Sequence, residues 1–219
     1  KDNIIISAEK FMKGKKVNLH DINSKFILNI LQKMSALYTE NSMLIDFNIN
    51  KALCAYDYLM LFYNPLCVEK LKELKKIIIQ KNNTVKISKK RNVVNTIIHG
   101  DLTYRNMLLN NDQVILCDFC RSEISFPEFD IYLFVIDKIT YSNKPINYIT
   151  FFDNIIKFIN GEIKIPELEI FYNINNKFKI NKEMEKISRY LFLYRMVILT
   201  LQNFKIRDSF QIKILDNVI

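Results

Sequence analysis

Apolar residues recur at Ile22, Phe26, Ile27, Ile30, Leu31, Met34, Leu37 and Tyr38, the three-and-four spacing that turns one face of a helix toward a core. A second helix is expected over residues 51–63, from Lys51 to Tyr63. A third opens at Asn64-Pro65 and runs through Leu71, Leu74 and Ile78, with Asn as the cap and Pro at the first helical position, where a missing N–H breaks no hydrogen bond. The period then changes. Val93 to Ile98 and Asn106 to Leu109 read as short extended runs, and Val114 to Phe119 as another, with Asn110-Asn111-Asp112 as the turn between the last two. The apolar run Ile131 to Ile136 begins another helix, and more are expected at residues 145–160, 166–172 and 182–204. Their Phe, Tyr and Ile stripes are core positions before they are a ligand box. The chain reads as mostly α with a small β-hairpin.

The candidate chemistry sits where the period changes. Asp101 precedes Asn106 by five residues, and Asp118 stands at the end of the next apolar run. If residues 93–98 and 106–109 are extended, a tight loop holds Asp101 and Asn106 at its two ends, and the hairpin returns Asp118 beside Asn106. Phosphoryl transfer uses such a set. Magnesium takes hard oxygen ligands, one or two from the protein and the rest from phosphates and water, and a separate carboxylate must face the attacking hydroxyl. The plain alternative makes Asp101 and Asp118 turn and strand-end caps, positions that Asp favours anyway.

The segment Ile97-Ile-His-Gly-Asp-Leu-Thr-Tyr-Arg-Asn-Met-Leu-Leu109, followed by Val114-Ile-Leu-Cys-Asp-Phe119, resembles the catalytic loop and metal segment of the kinase-like fold, in the form found in the aminoglycoside phosphotransferase and choline kinase type of small-molecule kinase. Protein kinases have Arg at the position of Gly100, Lys at that of Thr103 and Gly at that of Cys120. The resemblance implies ATP and Mg2+ as cofactors, Asp101 as catalytic base, Asn106 and Asp118 as metal ligands, and backbone contacts from Ala8, Glu9 and Lys10 to the adenine edge. Pro127 and Asp130 match the Pro and Asp that introduce the next helix in the family. There Asp130 has a structural role, because a carboxylate in a first helical turn favours the helix N-terminus and accepts bonds from loop amides.

The same resemblance divides the chain. Residues 1–14 correspond to the last strand of the small N-terminal lobe and the hinge. Residues 15–219 correspond to the helical C-terminal lobe, with the catalytic loop at 97–109 and the metal segment at 113–119. The first residue is Lys, and the three glycines, Gly14, Gly100 and Gly161, leave no glycine-rich phosphate loop. The expectation is therefore a C-terminal lobe without its N-terminal lobe, inactive on its own. The whole protein would phosphorylate a hydroxyl of a small molecule such as a sugar, an amino alcohol or a glycan component. The alternative is a non-catalytic kinase-like module that binds a nucleotide or a partner.

Composition narrows this picture modestly. At 219 residues, 49% hydrophobic and 12% aromatic, one domain with one substantial core is the default. The most apolar stretch, Tyr190 to Leu201, is short and contains Arg195, so no membrane span is expected. The net charge is +9, but the basic residues are scattered and no nucleic-acid partner is expected. The densest run, Lys86 to Arg91, is either a solvated loop or a lure for an anionic substrate or membrane surface. Cys117 and Cys120 have C-x-x-C spacing, and with Cys54 and Cys67 would make four zinc ligands. Buried thiols in a reducing, cytoplasmic setting fit their apolar surroundings better. His20 stands alone, and His99 reads as a structural member of the loop. A polycationic acceptor would call for an acidic pocket, and residues 182–213 offer no acidic cluster beyond Glu183 and Glu185.

Overall fold

The computed structural model describes residues 14–46, 48–57, 65–84, 92–111, 113–141, 148–201 and 215–216. Asn23 caps α1 (Ser24–Glu40), its side-chain oxygen accepting from the Phe26 N–H at 3.0 Å. The helix buries Phe26, Ile30, Leu31, Met34 and Tyr38, the face expected from their spacing. α3 (Pro65–Thr84) starts on its proline and buries Cys67, Leu71, Leu74 and Ile78. Asn64 lies outside the described residues. The helix expected at 51–63 is instead α2 (Ile49–Cys54), capped two residues earlier than expected by Asn48, whose side chain accepts from Lys51 N. Residues 58–63 lie outside the described residues.

The β structure is larger than one hairpin. β4 (Met107–Asn110) and β5 (Gln113–Leu116) form that hairpin, with Met107 opposite Leu116 and Asn110 opposite Gln113. A two-residue strand β1 (Lys15–Lys16) pairs with β4 to make a three-stranded antiparallel sheet. β3 (Asn92–Ile98) belongs to a second antiparallel sheet, between β2 (Met43–Asp46) and β6 (Glu123–Ser125). The loop between β3 and β4, which carries Asp101, therefore crosses from one sheet to the other.

The late helices are α4 (Glu128–Tyr141), α5 (Tyr148–Ile159), α6 (Pro166–Ile174) and α7 (Lys182–Leu201). Residues 129–136 of α4 and 191–198 of α7 are buried on every face, the mark of helices inside a core rather than on its edge. Aromatic packing joins them: Tyr132 lies against Phe158 and Phe192, with centroids 4.6 and 5.5 Å away. Tyr38 of α1 meets Phe171 and Phe178 edge-on. Among the described residues no helix is long and apolar enough to cross a membrane.

Candidate active site

β3 delivers the chain to His99, whose ring is buried and bonded on both sides. Nε2 lies 2.9 Å from the Cys117 carbonyl oxygen, and Nδ1 accepts from the Asp101 N–H at 3.3 Å. Both bonds are made only by the neutral ring with its proton on Nε2. Phe119 covers the ring, with centroids 4.4 Å apart. His99 thus ties the residue before Asp118 to the backbone of Asp101, the structural role expected of it.

Gly100 follows with φ of 80°, a conformation that side chains with a Cβ rarely adopt. A Cβ there would stand 1.9 Å from the Arg121 carbonyl oxygen. The chain at Gly100 runs against the Arg121 backbone, and only glycine fits between them.

Hydrogen bonds to backbone carbonyls link Asp101 to Asn106 and bring Asn106 beside Cys117, the residue before Asp118. The Asp101 carbonyl accepts from Thr103 N and from the Asn106 side-chain nitrogen, both at 2.8 Å. With its nitrogen committed, Asn106 has its side-chain oxygen to offer a cation. The Asn106 carbonyl in turn accepts from Cys117 N at 3.0 Å, one residue before Asp118. Asp118 is exposed and holds φ of 63°, a left-handed conformation in which Asp is among the tolerated residues. Its carboxylate accepts from the Cys120 thiol and pushes that thiol up. The Asp101 carboxylate is 28% exposed, and the Arg121 guanidinium lies 4.0 Å from it.

Asp130 anchors the loop from the first turn of α4. Its carboxylate accepts from the N–H groups of His99 and Gly100, at 2.6 and 2.9 Å, and from the Tyr38 hydroxyl. Burial pushes this carboxyl up, and the hydrogen bonds from Tyr38 and the two amides oppose the shift. Burial, with Asp130 as a further cause, also pushes Tyr38 well up. The upward push on Tyr38 keeps the proton on the tyrosine oxygen, where it donates.

Arg195 is the residue that sequence reasoning missed. It is 1% exposed within α7, its Nη2 donates to the Gly100 carbonyl at 2.9 Å, and its Nε donates to Glu123. Tyr56 donates to the same Glu123. Burial disfavours the guanidinium charge, but Glu123 and the other anions around it outweigh that and hold the charge in place. A lone Arg inside the apolar run 190–201 was the available signal, because a charge there is rare unless it is paired.

The remaining expectations divide. Ala8, Glu9, Lys10 and the basic run 86–91 lie outside the described residues. No group of three or more His, Cys, Asp or Glu side chains gathers around a metal position among the described residues, so the zinc alternative has no support there. The four cysteines form no disulfide, and only Cys67 is buried. Cys54 and Cys120 are exposed and Cys117 is half-buried, which corrects the expectation of four buried thiols. The reason is local: Cys120 sits in the turn after Asp118, and Cys54 at the open end of α2. A cavity of about 400 Å³ lined by Lys81, Asn82, Gly161, Lys186, Arg189 and neighbours includes none of the residues 97–119.

This helical core with two small antiparallel sheets, holding an Asp-Asn-Asp set on a His-Gly-Asp loop, has the form of the choline kinase type of kinase-like protein. The model of the ecdysteroid kinase-like family matches residues 16–153, and the chain belongs to that family. No curated protein matches the chain. Among solved structures, amicoumacin kinase hAmiN, in complex with AMP-PNP, Ca2+ and Ami, superposes with a TM-score of 0.56 at 15% identity over 95% of this chain and 63% of that one. Choline kinase LicA from Streptococcus pneumoniae gives 0.55 at 14% identity over 96% and 67%. The choline kinase of Cryptosporidium parvum gives 0.57 at 11% over 95% and 68%. The chain spans 63 to 68% of the length of these kinases.

Proposed function

We propose that the chain is the C-terminal helical lobe of an ATP-dependent phosphotransferase that phosphorylates a hydroxyl group on a small molecule. The observation that carries this reading is the pair of hydrogen bonds joining the three polar residues: Asn106 to the Asp101 carbonyl, and Cys117, beside Asp118, to the Asn106 carbonyl. Two capping aspartates would need no such connection.

Asp101 accepts the proton of the attacking hydroxyl and orients its oxygen, and the half-exposed position leaves room for an acceptor. Asn106 and Asp118 offer the two hard oxygens that suit Mg2+, which would neutralise charge on the nucleotide phosphates when bound. Ala8, Glu9 and Lys10 supply backbone contacts to adenine from the hinge, and the phosphate-covering strands belong to the N-terminal lobe. The AMP-PNP in complex with amicoumacin kinase hAmiN and the two choline kinases among the neighbours support a nucleotide and a small hydroxyl acceptor.

The test is Asp101→Asn in the full-length protein. Turnover is expected to fall by about 10²-fold or more with nucleotide binding retained. Unchanged turnover would remove Asp101 from the chemistry, and a wild-type protein with no turnover would favour a non-catalytic binding module.

A further inference from the structure

We infer that Arg195 is a positioning residue, one whose guanidinium holds the loop at Gly100 against β6, the strand that follows the proposed metal segment. The inference rests on the phosphotransferase reading above.

The guanidinium fork has two oxygen partners. One nitrogen, Nη2, bonds the carbonyl of Gly100, the residue before Asp101, and another, Nε, bonds Glu123, five residues beyond Asp118. The loop is already tied to this part of the chain where Gly100 meets the Arg121 backbone and where β3 pairs Ile98 with Glu123. Arg195 adds a directional side-chain link at the Gly100 carbonyl itself. Tyr56 fixes Glu123 from the other side, so the acceptor of the fork is itself held. A planar guanidinium carries several N–H donors in a rigid frame, which a lysine ammonium on a flexible stem does not reproduce.

The placement is costly for mere packing. A cation 1% exposed in the middle of α7 must be desolvated, and an apolar side chain of similar size fills such a site at least as well. One of its bonds goes to the Gly100 carbonyl, which adjoins the proposed base. Small displacements matter there, since a misplacement of about 1 Å in a reacting group costs about 10²-fold in rate.

The experiment uses the full-length protein and basal ADP formation from Mg·ATP, which needs no knowledge of the acceptor. Arg195→Lys and Glu123→Gln are compared with wild type and with Asp101→Asn, each well below its own unfolding midpoint. Both variants are expected to lose about 10- to 100-fold in kcat per folded molecule and to need more Mg2+ for half-maximal rate. The double variant is expected to be no slower than the worse single one, as for two residues acting through one contact. A brace that serves stability alone would lower the unfolding midpoint and leave kcat and the Mg2+ requirement unchanged, and that result overturns the inference. If Asp101→Asn is slow while Arg195→Lys keeps wild-type kcat, the phosphotransferase reading stands and the positioning role falls. If Asp101→Asn changes nothing, both fall. Should Arg195→Lys fail to fold, Glu123→Gln decides by the same two quantities.

Discussion

The hydroxyl of Tyr38 donates to the same oxygen of Asp130 that accepts the His99 amide, although 92 residues separate the two in sequence. α1, α4 and the catalytic loop therefore meet at one carboxylate. Removing the hydroxyl leaves a buried anion short of a donor, so Tyr38→Phe is expected to cost about 1.5–3 kcal/mol, the range for a hydrogen bond to a charged group. Asp130→Ala should cost more, because it orphans the His99 and Gly100 amides together. Urea unfolding of the three proteins measures both. A Tyr38→Phe protein as stable as wild type would show that the hydroxyl is not needed by Asp130.

Asp118 carries a test of the metal reading. Asp118→Asn keeps a residue type that tolerates φ of 63° while removing the charge that a hard cation prefers. Titrating AMP-PNP by calorimetry, with and without Mg2+, should show that the metal strengthens binding to wild type and strengthens it far less in the variant. Equal strengthening in both would put the metal elsewhere.

Glu128 predicts a pH dependence. Burial pushes its carboxyl from 4.5 to about 7, so the folded protein binds a proton more tightly than the unfolded chain. The stability this proton supplies is fully present below about pH 4.5 and is lost as pH rises through about 7. Tm should fall between about pH 5 and about pH 8, and Glu128→Gln should flatten part of the slope. Asp137, also pushed up to about 7 by burial, titrates in the same window and keeps the rest. Calorimetric scans across that range decide it, and a Tm that rises with pH would contradict the assignment.

Gly100→Ala should be among the most damaging single changes. The added Cβ meets the Arg121 carbonyl at 1.9 Å and the Arg195 guanidinium at 3.1 Å, and φ of 80° is itself strained for alanine at about 1–3 kcal/mol. The expected result is lower stability by chemical denaturation together with loss of ADP formation. A variant with wild-type activity would show that the loop can move away from the metal segment without consequence.

The periodic helices were legible in the sequence because burial imposes a period. The stripe of α1, the Pro65 start of α3 and the runs of α4 and α7 each announced themselves. The second sheet was not legible. Met43–Asp46 and Glu123–Ser125 are four and three residues long, too short for alternation to rise above chance, and their pairing with β3 spans long intervals of chain. The loop motif pointed to Asp101, Asn106 and Asp118 as candidates, and the Pro-Asp pattern pointed to the structural role of Asp130, which accepts from the His99 and Gly100 amides. Tyr38 read as one more apolar position on α1, since nothing local reveals that its hydroxyl has a distant acceptor. Arg195 was visible only as an interruption in an apolar run, because its partners Gly100 and Glu123 are brought to it by tertiary packing.

Between residues 100 and 118 the described chain enters the left-handed half of conformational space three times, at Gly100, Asn111 and Asp118. L-amino acids avoid that half, and the residues that enter it most readily are Gly, Asn and Asp. Asn and Asp are also oxygen donors of the kind a hard cation takes. At Asp118 the two demands fall on one residue: the backbone reversal that brings the segment back and the carboxylate it presents are served by the same short side chain. Chirality and coordination chemistry thus draw on one small alphabet here, so a site of this type is compact in sequence as well as in space.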